Sequence, residues 1–118
     1  MARYGFPKCE RLANTGQIRA LFGAGKKFSV PAMRLVLRAN GLPHNRVLIA
    51  PARAYPTAVQ RNRARRIGRE IYRHVRSRLL PGFDVGFIMY PGDDSYDSRE
   101  SQVLQLCRRA GILRLTGE

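Results

Sequence analysis

The chain has 118 residues, enough for one domain with a single modest core and too few for two. Its 22 lysines and arginines against 8 acids give a net charge of +14, which favours nucleic acid over a membrane surface as a partner. With 44% hydrophobic residues the sequence can bury a core, so the charge alone does not predict a disordered chain.

The first part of the chain predicts a short helix after a basic lead-in. Residues 1–13 carry Arg and Lys and are expected to be partly ordered. Asn14 or Thr15 can cap the helix, and Gly23 and Gly25 can end it. One apolar edge is formed by Ile18, Leu21 and Phe22.

The next segment predicts a pair of strands. Met33, Leu35 and Leu37 alternate with Arg34, Val36 and Arg38, which is the period of a half-buried strand. Turn formers at 40–45 should reverse the chain into a second strand, 46–50, so that the two form a hairpin. Residues 27–30 are a candidate for a further short strand, against which Pro31 argues.

A basic amphipathic helix is predicted from Thr57, where Thr57-Ala58-Val59-Gln60 fits a capping box, to about Leu79. Residues 61–78 hold eight arginines and one acid, which leave +7 on this element. The cationic face comprises Arg61, Asn62, Arg65, Arg66, Arg69, Arg73 and Arg76, and the apolar face comprises Ala64, Ile67, Gly68, Ile71 and Val75. A mid-helix glycine at Gly68 predicts a backbone packed closely against it.

The last third predicts a strand, a loop and a helix. Val85–Tyr90 is apolar throughout and suits a central strand. The acids of the loop Pro91–Ser98 are expected to form a solvated turn; they are Asp93, Asp94 and Asp97. A final helix starts near Ser98 with one apolar stripe, made of Val103, Leu106, Cys107 and Ala110.

No pattern of catalytic residues stands out. The 8 acids do not converge from separate elements as a two-metal nuclease requires, and Cys9 and Cys107 lack the paired spacing of a zinc site. Nothing matches a P-loop or a nucleophile elbow. No run approaches the ~18 apolar residues that cross a bilayer, so we expect a cytoplasmic protein without membrane contact. We therefore predict no catalytic residue and no metal site on the chain, and a specialised surface that binds phosphate.

The basic helix resembles the signature helix of the protein subunit of bacterial ribonuclease P. The resemblance is carried by Arg61-Asn62-Arg63-Ala64-Arg65-Arg66-Ile67-Gly68-Arg69-Glu70, preceded by Ala58-Val59. Other segments occur in the family's order: Arg11-Leu12, Phe22 to Lys26, the strands ending near Ala50, and Val85–Tyr90. The resemblance covers nearly the whole chain as one RNA-binding domain, 1–118.

The resemblance implies a fold of the α+β class, a small α/β sandwich of the ribosomal protein S5 domain 2-like type. Its element order is α-β-β-β-α-β-α, with a left-handed β-α-β crossover against the usual preference. In the family the catalytic centre is RNA with Mg²⁺, which the RNA holds rather than protein side chains. The implied partners are ribonuclease P RNA, at one protein per RNA, and precursor tRNA, whose 5′ leader is removed.

The resemblance also implies two groups of binding residues. The residues expected to face RNA are Arg61, Asn62, Arg63, Arg65, Arg66, Arg69 and Arg73. The leader is expected in a cleft between the sheet and the basic and first helices, at Ile18, Phe22, Val36 and Arg53. Because Ile18 and Val36 stand where the family often has aromatic residues, stacking on the leader could be weaker or moved to Phe28 or Tyr90. Phe22 could stack on a base or pack in the core.

Three other classes compete with this interpretation. A structural RNA-binding protein of ribosomal type would use the same helix to coat RNA. A DNA-binding protein would place it in a major groove, but there is no leucine heptad for dimerisation and one helix flank is needed for the core. A stand-alone nuclease is disfavoured by the distribution of the carboxylates.

Overall fold

The computed structural model describes residues 8–114, which form three helices and one four-stranded sheet. The helices are α1 (Thr15–Ala24), α2 (Ala58–Val75) and α3 (Tyr96–Ala110). The strands are β1 (Lys26–Val30), β2 (Met33–Ala39), β3 (Arg46–Pro51) and β4 (Phe83–Met89). Short 3-10 turns lie at Lys8–Glu10 and Arg76–Arg78. The predicted α+β class and element order are confirmed.

The sheet has the strand order β1-β2-β4-β3. Strand β4 pairs antiparallel with β2 and parallel with β3, so it lies between them. The predicted hairpin between 33–38 and 46–50 is therefore wrong, although the chain does reverse at 40–45. Turn residues set the direction of the chain, whereas the mostly buried strand β4 takes the centre, where it is covered on both faces.

The hairpin of the sheet is formed by β1 and β2 instead. Val30 pairs with Met33, so Pro31 and Ala32 are its two-residue loop. Ala32 has a φ of 67°, and proline followed by a residue at positive φ is the pattern of a type II turn. The Ala32 carbonyl accepts a hydrogen bond from the Tyr90 amide at 3.0 Å, which anchors this turn to the end of β4.

Helices cover both faces of the sheet, as the predicted sandwich requires. Val85, Phe87 and Met89 belong to the core with α2 and α3. On the opposite face α1 packs its buried Leu21 against Val36. The β3-α2-β4 unit joins neighbouring parallel strands, and its left-handed sense stays a prediction.

Helix α2 begins where its capping box indicated. The Thr57 hydroxyl accepts a hydrogen bond from the Gln60 amide at 3.1 Å. The α-helical part ends at Val75, before the expected end at Leu79, because a 3-10 turn follows. A Cβ on Gly68 would lie 2.6 Å from the Ile49 Cγ2 methyl. A side chain, and not the expected backbone, is what makes this position tight.

The segment 8–13 joins the edge of the sheet. Arg11 forms a parallel bridge with Val47, and the Leu12 amide donates to the Val47 carbonyl at 3.0 Å. Leu12 is buried beside α1. Residues 1–7 of the expected lead-in 1–13 lie outside the described residues, while this later part is ordered on β3.

Helix α3 starts earlier than expected, at Tyr96, because the Ser95 hydroxyl caps it by accepting from the Ser98 amide. Its apolar stripe packs into the core, with Val103, Leu106 and Cys107 buried. The predicted solvated turn is wrong for Asp94, whose carboxylate binds the buried Arg99 side chain. Burying an arginine requires such a partner, and the loop supplies it.

Candidate nucleic-acid interface

The cationic face of α2 points outward. Asn62, Arg63, Arg66 and Arg69 are exposed, and Arg61, Arg65 and Arg73 are half-buried. The buried residues of the helix are Ala64, Gly68, Ile71, Tyr72 and Val75, with Ile67 partly buried against the same core. The predicted division of the helix into a cationic outer face and an apolar inner face is thus present in the structure. Contact of the cationic side chains with RNA stays a prediction.

Three arginines of this face are held by neighbours within the protein. The Arg61 guanidinium donates to the Tyr55 carbonyl at 2.9 Å, and Arg65 donates to the Asn62 side-chain oxygen at 2.8 Å. Arg73 pairs with Glu70 at 2.7 Å one helical turn away. A solvent-accessible pair of this kind contributes little, about 0–1 kcal/mol, so a phosphate can replace the carboxylate at small cost.

Arg69 lies close enough to two other arginines, Arg65 and Arg11, to be repelled by their charges. Although the residue as a whole is exposed, partial loss of hydration lowers the pKa of its guanidinium, and the neighbouring charges of Arg65 and Arg11 lower it further. A guanidinium stays protonated in proteins, so the lowered pKa reports repulsion and lost hydration. An anion bound among these three guanidinium groups would offset their mutual repulsion and accept hydrogen bonds in place of the lost water. Arg11 was not among the predicted site residues, although its basic sequence neighbourhood and the family resemblance of Arg11-Leu12 were available signals.

A groove of about 340 Å³ opens beside these arginines. Its walls come from α1, the edge strand β3, the segment before α1, and α2. The lining residues include Arg11, Leu12, Ile18, Ile49, Arg65 and Arg69. The groove therefore lies between the first helix, the sheet and the basic helix, where the cleft was predicted, and it contains Ile18.

The other predicted cleft residues are placed differently. Val36 is fully buried at 0% exposure under Leu21, so the structure contradicts its assignment to an open cleft. The cause is the packing of α1, since Gly86 leaves a space that the Leu21 side chain fills. Phe22 is half-buried against the same cluster, and Arg53 is exposed on the loop before α2 without lining the groove.

The two aromatic residues considered as replacements differ as well. Phe28 packs against the core shared with α2 and α3, on the face of the sheet opposite α1. It therefore faces away from the predicted cleft. Tyr90 is half-buried at the end of β4, and its part in binding stays a prediction.

Strand β2 adds basic side chains that the sequence analysis did not assign. Arg34 and Arg38 are exposed and, by strand alternation, lie on the same face as Val36 and α1. Arg34 is paired in register with Ile88 of the central strand. The alternation at 33–38 was the available signal, but it was used to place the strand and not to place charge. Basic side chains therefore also lie on the sheet face that carries α1, opposite the face against which α2 packs.

The described part of the chain offers few groups for bond chemistry. Between residues 8 and 114, no set of three or more His, Cys, Asp or Glu side chains is placed to hold a metal ion. Cys9 is exposed and Cys107 is buried, and both are free thiols. None of the helices in this range combines the length and the hydropathy needed to span a bilayer.

These features define a class of protein: a small basic α+β domain with an arginine-lined helix beside an open groove. Comparison with known proteins makes the class specific. A family model described as Ribonuclease P matches residues 6–111. The chain therefore belongs to the Ribonuclease P family.

Relatives and solved structures agree with this assignment. A "Ribonuclease P protein component" from Nitrosococcus oceani is 33% identical over 113 residues, covering 95% of this chain and 92% of its own length. One from Synechococcus elongatus is 32% identical, covering 91% and 94%. The RNase P protein from Thermotoga maritima superposes with a TM-score of 0.76 at 25% identity, over 85% of this chain and 96% of that one. The Staphylococcus aureus RNase P protein has the same fold, with a TM-score of 0.80 at 17% identity over 91% and 100%.

Proposed function

We propose that this chain is the protein subunit of a bacterial ribonuclease P and promotes removal of the 5′ leader from precursor tRNA. The observation that carries the proposal is the exposed arginine face of α2 beside the groove that Arg65 and Arg69 share with Arg11. Membership of the family supplies the reaction. In this proposal the arginine face binds a folded RNA, and the groove binds a single-stranded one.

The folded RNA is the expected partner of the arginine face. Phosphates are the dominant contacts of proteins with folded RNA, and planar guanidinium groups bind them through paired hydrogen bonds. With +7 concentrated on residues 61–78, the helix can replace counterions along a phosphate backbone. The assigned residues are Arg61, Asn62, Arg63, Arg65, Arg66, Arg69 and Arg73.

The leader is the expected occupant of the groove and of the sheet surface next to it. A single strand is held by a basic channel with flat or apolar side chains under its bases. Ile18 and the exposed side of Phe22 supply apolar surface, while Arg34 and Arg53 supply charge. Because a leader held here lies next to the helix, the protein would bring the substrate and the catalytic RNA together.

The carboxylates of the chain support a catalytic centre on the RNA. Four of them bind basic side chains of the same protein, in the pairs Glu10 with Arg76, Glu70 with Arg73, Asp84 with Arg46 and Asp94 with Arg99. Groups engaged in this way are poor candidates for holding two metal ions at a scissile phosphate. Mg²⁺ would be held by the RNA, and the protein's charge would lower the Mg²⁺ concentration that assembly needs.

The experiment is reconstituted cleavage. The purified chain is added to a bacterial ribonuclease P RNA and a precursor tRNA at a magnesium concentration at which the RNA alone is inactive. The expected result is rescued release of the leader, reduced in an Arg65→Ala, Arg69→Ala variant. No rescue, together with sedimentation of the chain on ribosomal particles, would instead establish a structural RNA-binding protein. A complex of one protein per RNA, located in the cytoplasm, is part of the same proposal.

A further inference from the structure

One arginine of helix α3 is fully buried in the interior of the protein. Arg99, in the first turn of α3, is 0% exposed. Its guanidinium donates through Nε to the Asp94 carboxylate at 2.8 Å. Such a group is costly to remove from water unless every donor finds a partner.

The partners of Arg99 come from several separate segments. Nη1 donates to the Ala32 carbonyl at 2.7 Å and to the Gln102 side-chain oxygen at 2.9 Å. Nη2 donates to the Tyr55 hydroxyl at 3.0 Å and also reaches the Tyr90 carbonyl and Asp94. One side chain thereby joins the β1-β2 turn, the end of β4 and the loop between β3 and α2.

Tyr55 connects this network to the basic helix. Its side chain is only 3% exposed, and its hydroxyl also lies 2.9 Å from the Asp94 carboxylate. Burial, and then the hydrogen bond to Asp94, raise the pKa of this hydroxyl. On the outer side of the same residue, the Tyr55 carbonyl accepts the hydrogen bond from Arg61 at 2.9 Å.

The loop that holds Tyr55 is fixed at both ends. The Ala52 amide donates to the Met89 carbonyl at 2.7 Å, and Thr57 caps α2. Among residues 52–57 of this loop, only Tyr55 has a buried side chain, so its ring and hydroxyl hold the middle of the loop against the core. Arg53 and the first turn of α2, which includes Arg61, extend from this loop.

Stability alone is a weak explanation for the network. Packed apolar side chains of similar volume commonly stabilise a core as well as a buried ion pair does. A hydrogen-bonded network differs because it fixes the orientation of the groups that it joins. A binding surface whose groups are already oriented loses less conformational entropy on association.

We propose that Arg99, Asp94 and Tyr55 are positioning residues for RNA binding, which hold the loop 52–57 and Arg61 in their binding orientation before RNA arrives. The inference rests on the proposed function and assigns a role to residues outside the arginine face. None of the three touches the RNA in this proposal. They act through the carbonyl of Tyr55 and the course of the loop.

The test compares two mild variants with a matched control. Tyr55→Phe removes one hydroxyl and keeps the ring, and Asp94→Asn keeps the shape of the side chain. Tyr72→Phe is the control, because Tyr72 is also buried and its hydroxyl contacts Glu10 at 3.4 Å, near the C-terminal end of α2 and away from the loop 52–57. Each variant is assayed for thermal unfolding and for affinity to ribonuclease P RNA at a temperature at which all of them are folded.

We expect Tyr55→Phe and Asp94→Asn to weaken RNA binding by about threefold to tenfold, and Tyr72→Phe to leave it unchanged. A purely structural role would lower the melting temperature of all three without changing affinity among the folded proteins. That outcome would overturn the inference.

A double-mutant cycle separates this inference from the proposed function. If Tyr55 acts through Arg61, Tyr55→Phe should weaken binding less in an Arg61→Ala background than in the wild type. Additive losses would refute the positioning role and leave the arginine face intact as the RNA site. If Arg61→Ala has no effect while Arg65→Ala and Arg69→Ala do, the inference alone fails. If none of the three changes affinity, the assignment of the RNA site fails with it.

Discussion

Arginine has two different uses in this molecule. Arg99 has no exposed surface, and protein oxygens occupy its donors from three sides. The arginines of α2 have a few intramolecular partners and leave much of their surface to solvent. The same functional group therefore joins several segments of the interior in one place and lies accessible to solvent in the other. What distinguishes the two uses is whether the fold completes the hydrogen bonds.

The largest expected effect is the loss of stability on replacing the buried arginine, Arg99. Arg99→Ala should destabilise the protein by about 3–5 kcal/mol, because it leaves the Asp94 carboxylate without its cation and takes one hydrogen bond from each of the Ala32 and Tyr90 carbonyls. Urea unfolding at neutral pH measures the change. Arg108→Ala, at an exposed position of the same helix, is the control and should be close to neutral. Equal losses in both variants would mean that burial does not distinguish these arginines.

Replacing arginines on the solvent-facing side of α2 should weaken RNA binding and leave folding unchanged. Arg65→Ala with Arg69→Ala should weaken affinity for ribonuclease P RNA by about 100-fold, since each lost charged contact costs roughly 1.5 kcal/mol. The slope of log affinity against log salt should flatten by about two units. Filter binding across a salt series gives both values. An unchanged slope would place these arginines outside the interface.

The packed face of α2 allows a smaller test of the interior. Alanine at position 68 is worth about 1 kcal/mol in helix propensity, but its Cβ would meet the Ile49 Cγ2 methyl at 2.6 Å. Overpacking costs about 1–3 kcal/mol, so we expect Gly68→Ala to destabilise by about 1 kcal/mol net. Chemical unfolding of Gly68→Ala, Ile49→Ala and the double variant measures the coupling. A stabilised Gly68→Ala would show that Ile49 moves aside freely.

The smallest expected effect is a pH dependence from the core. Burial raises the pKa of the Cys107 thiol to about 12. An unfolded thiol ionises near pH 8.5, so the folded state retains a proton that the unfolded state loses. Stability should therefore fall as pH rises above this value, by about 1 kcal/mol between pH 9 and pH 10.

Comparison with Cys107→Ala isolates this contribution. The variant should lack that part of the loss between pH 9 and pH 10, although its stability at pH 7 is lower because of the cavity. Cys9→Ala serves as the control, since Cys9 is exposed. Identical pH slopes in the wild type and Cys107→Ala would contradict the buried placement of the thiol.

Local patterns predicted the parts of the fold that depend on local forces. The period of α2, its cap at Thr57 and the apolar stripe of α3 follow from residues close together in sequence. The outward arginines of α2 were predictable for the same reason, since a helix with one apolar side can turn only the other to solvent. The same patterns predicted the element order, with two or three strands before α2, and the family resemblance then supplied the sandwich architecture.

Contacts between distant residues could not be predicted in this way. Turn residues at 40–45 signalled a reversal, but nothing local indicates that β4 enters between β2 and β3. Val36 reads as one apolar residue of an alternating strand, and only the position of α1 buries it. Arg99 is one of 19 arginines in the sequence, and its burial depends on a carboxylate, a hydroxyl and carbonyls from other segments.

The central position of β4 has a consequence for the order of events during synthesis. Strands β1 and β2 can pair as soon as they leave the ribosome, whereas β3 has no strand partner until residues 83–89 follow. Helix α2 is translated after β3 and before β4. At that stage β4 and α3, against which its apolar side packs in the folded protein, have not yet been made. The nascent chain would therefore acquire its native fold late and in one cooperative step, because sheet closure and helix docking depend on the same segment.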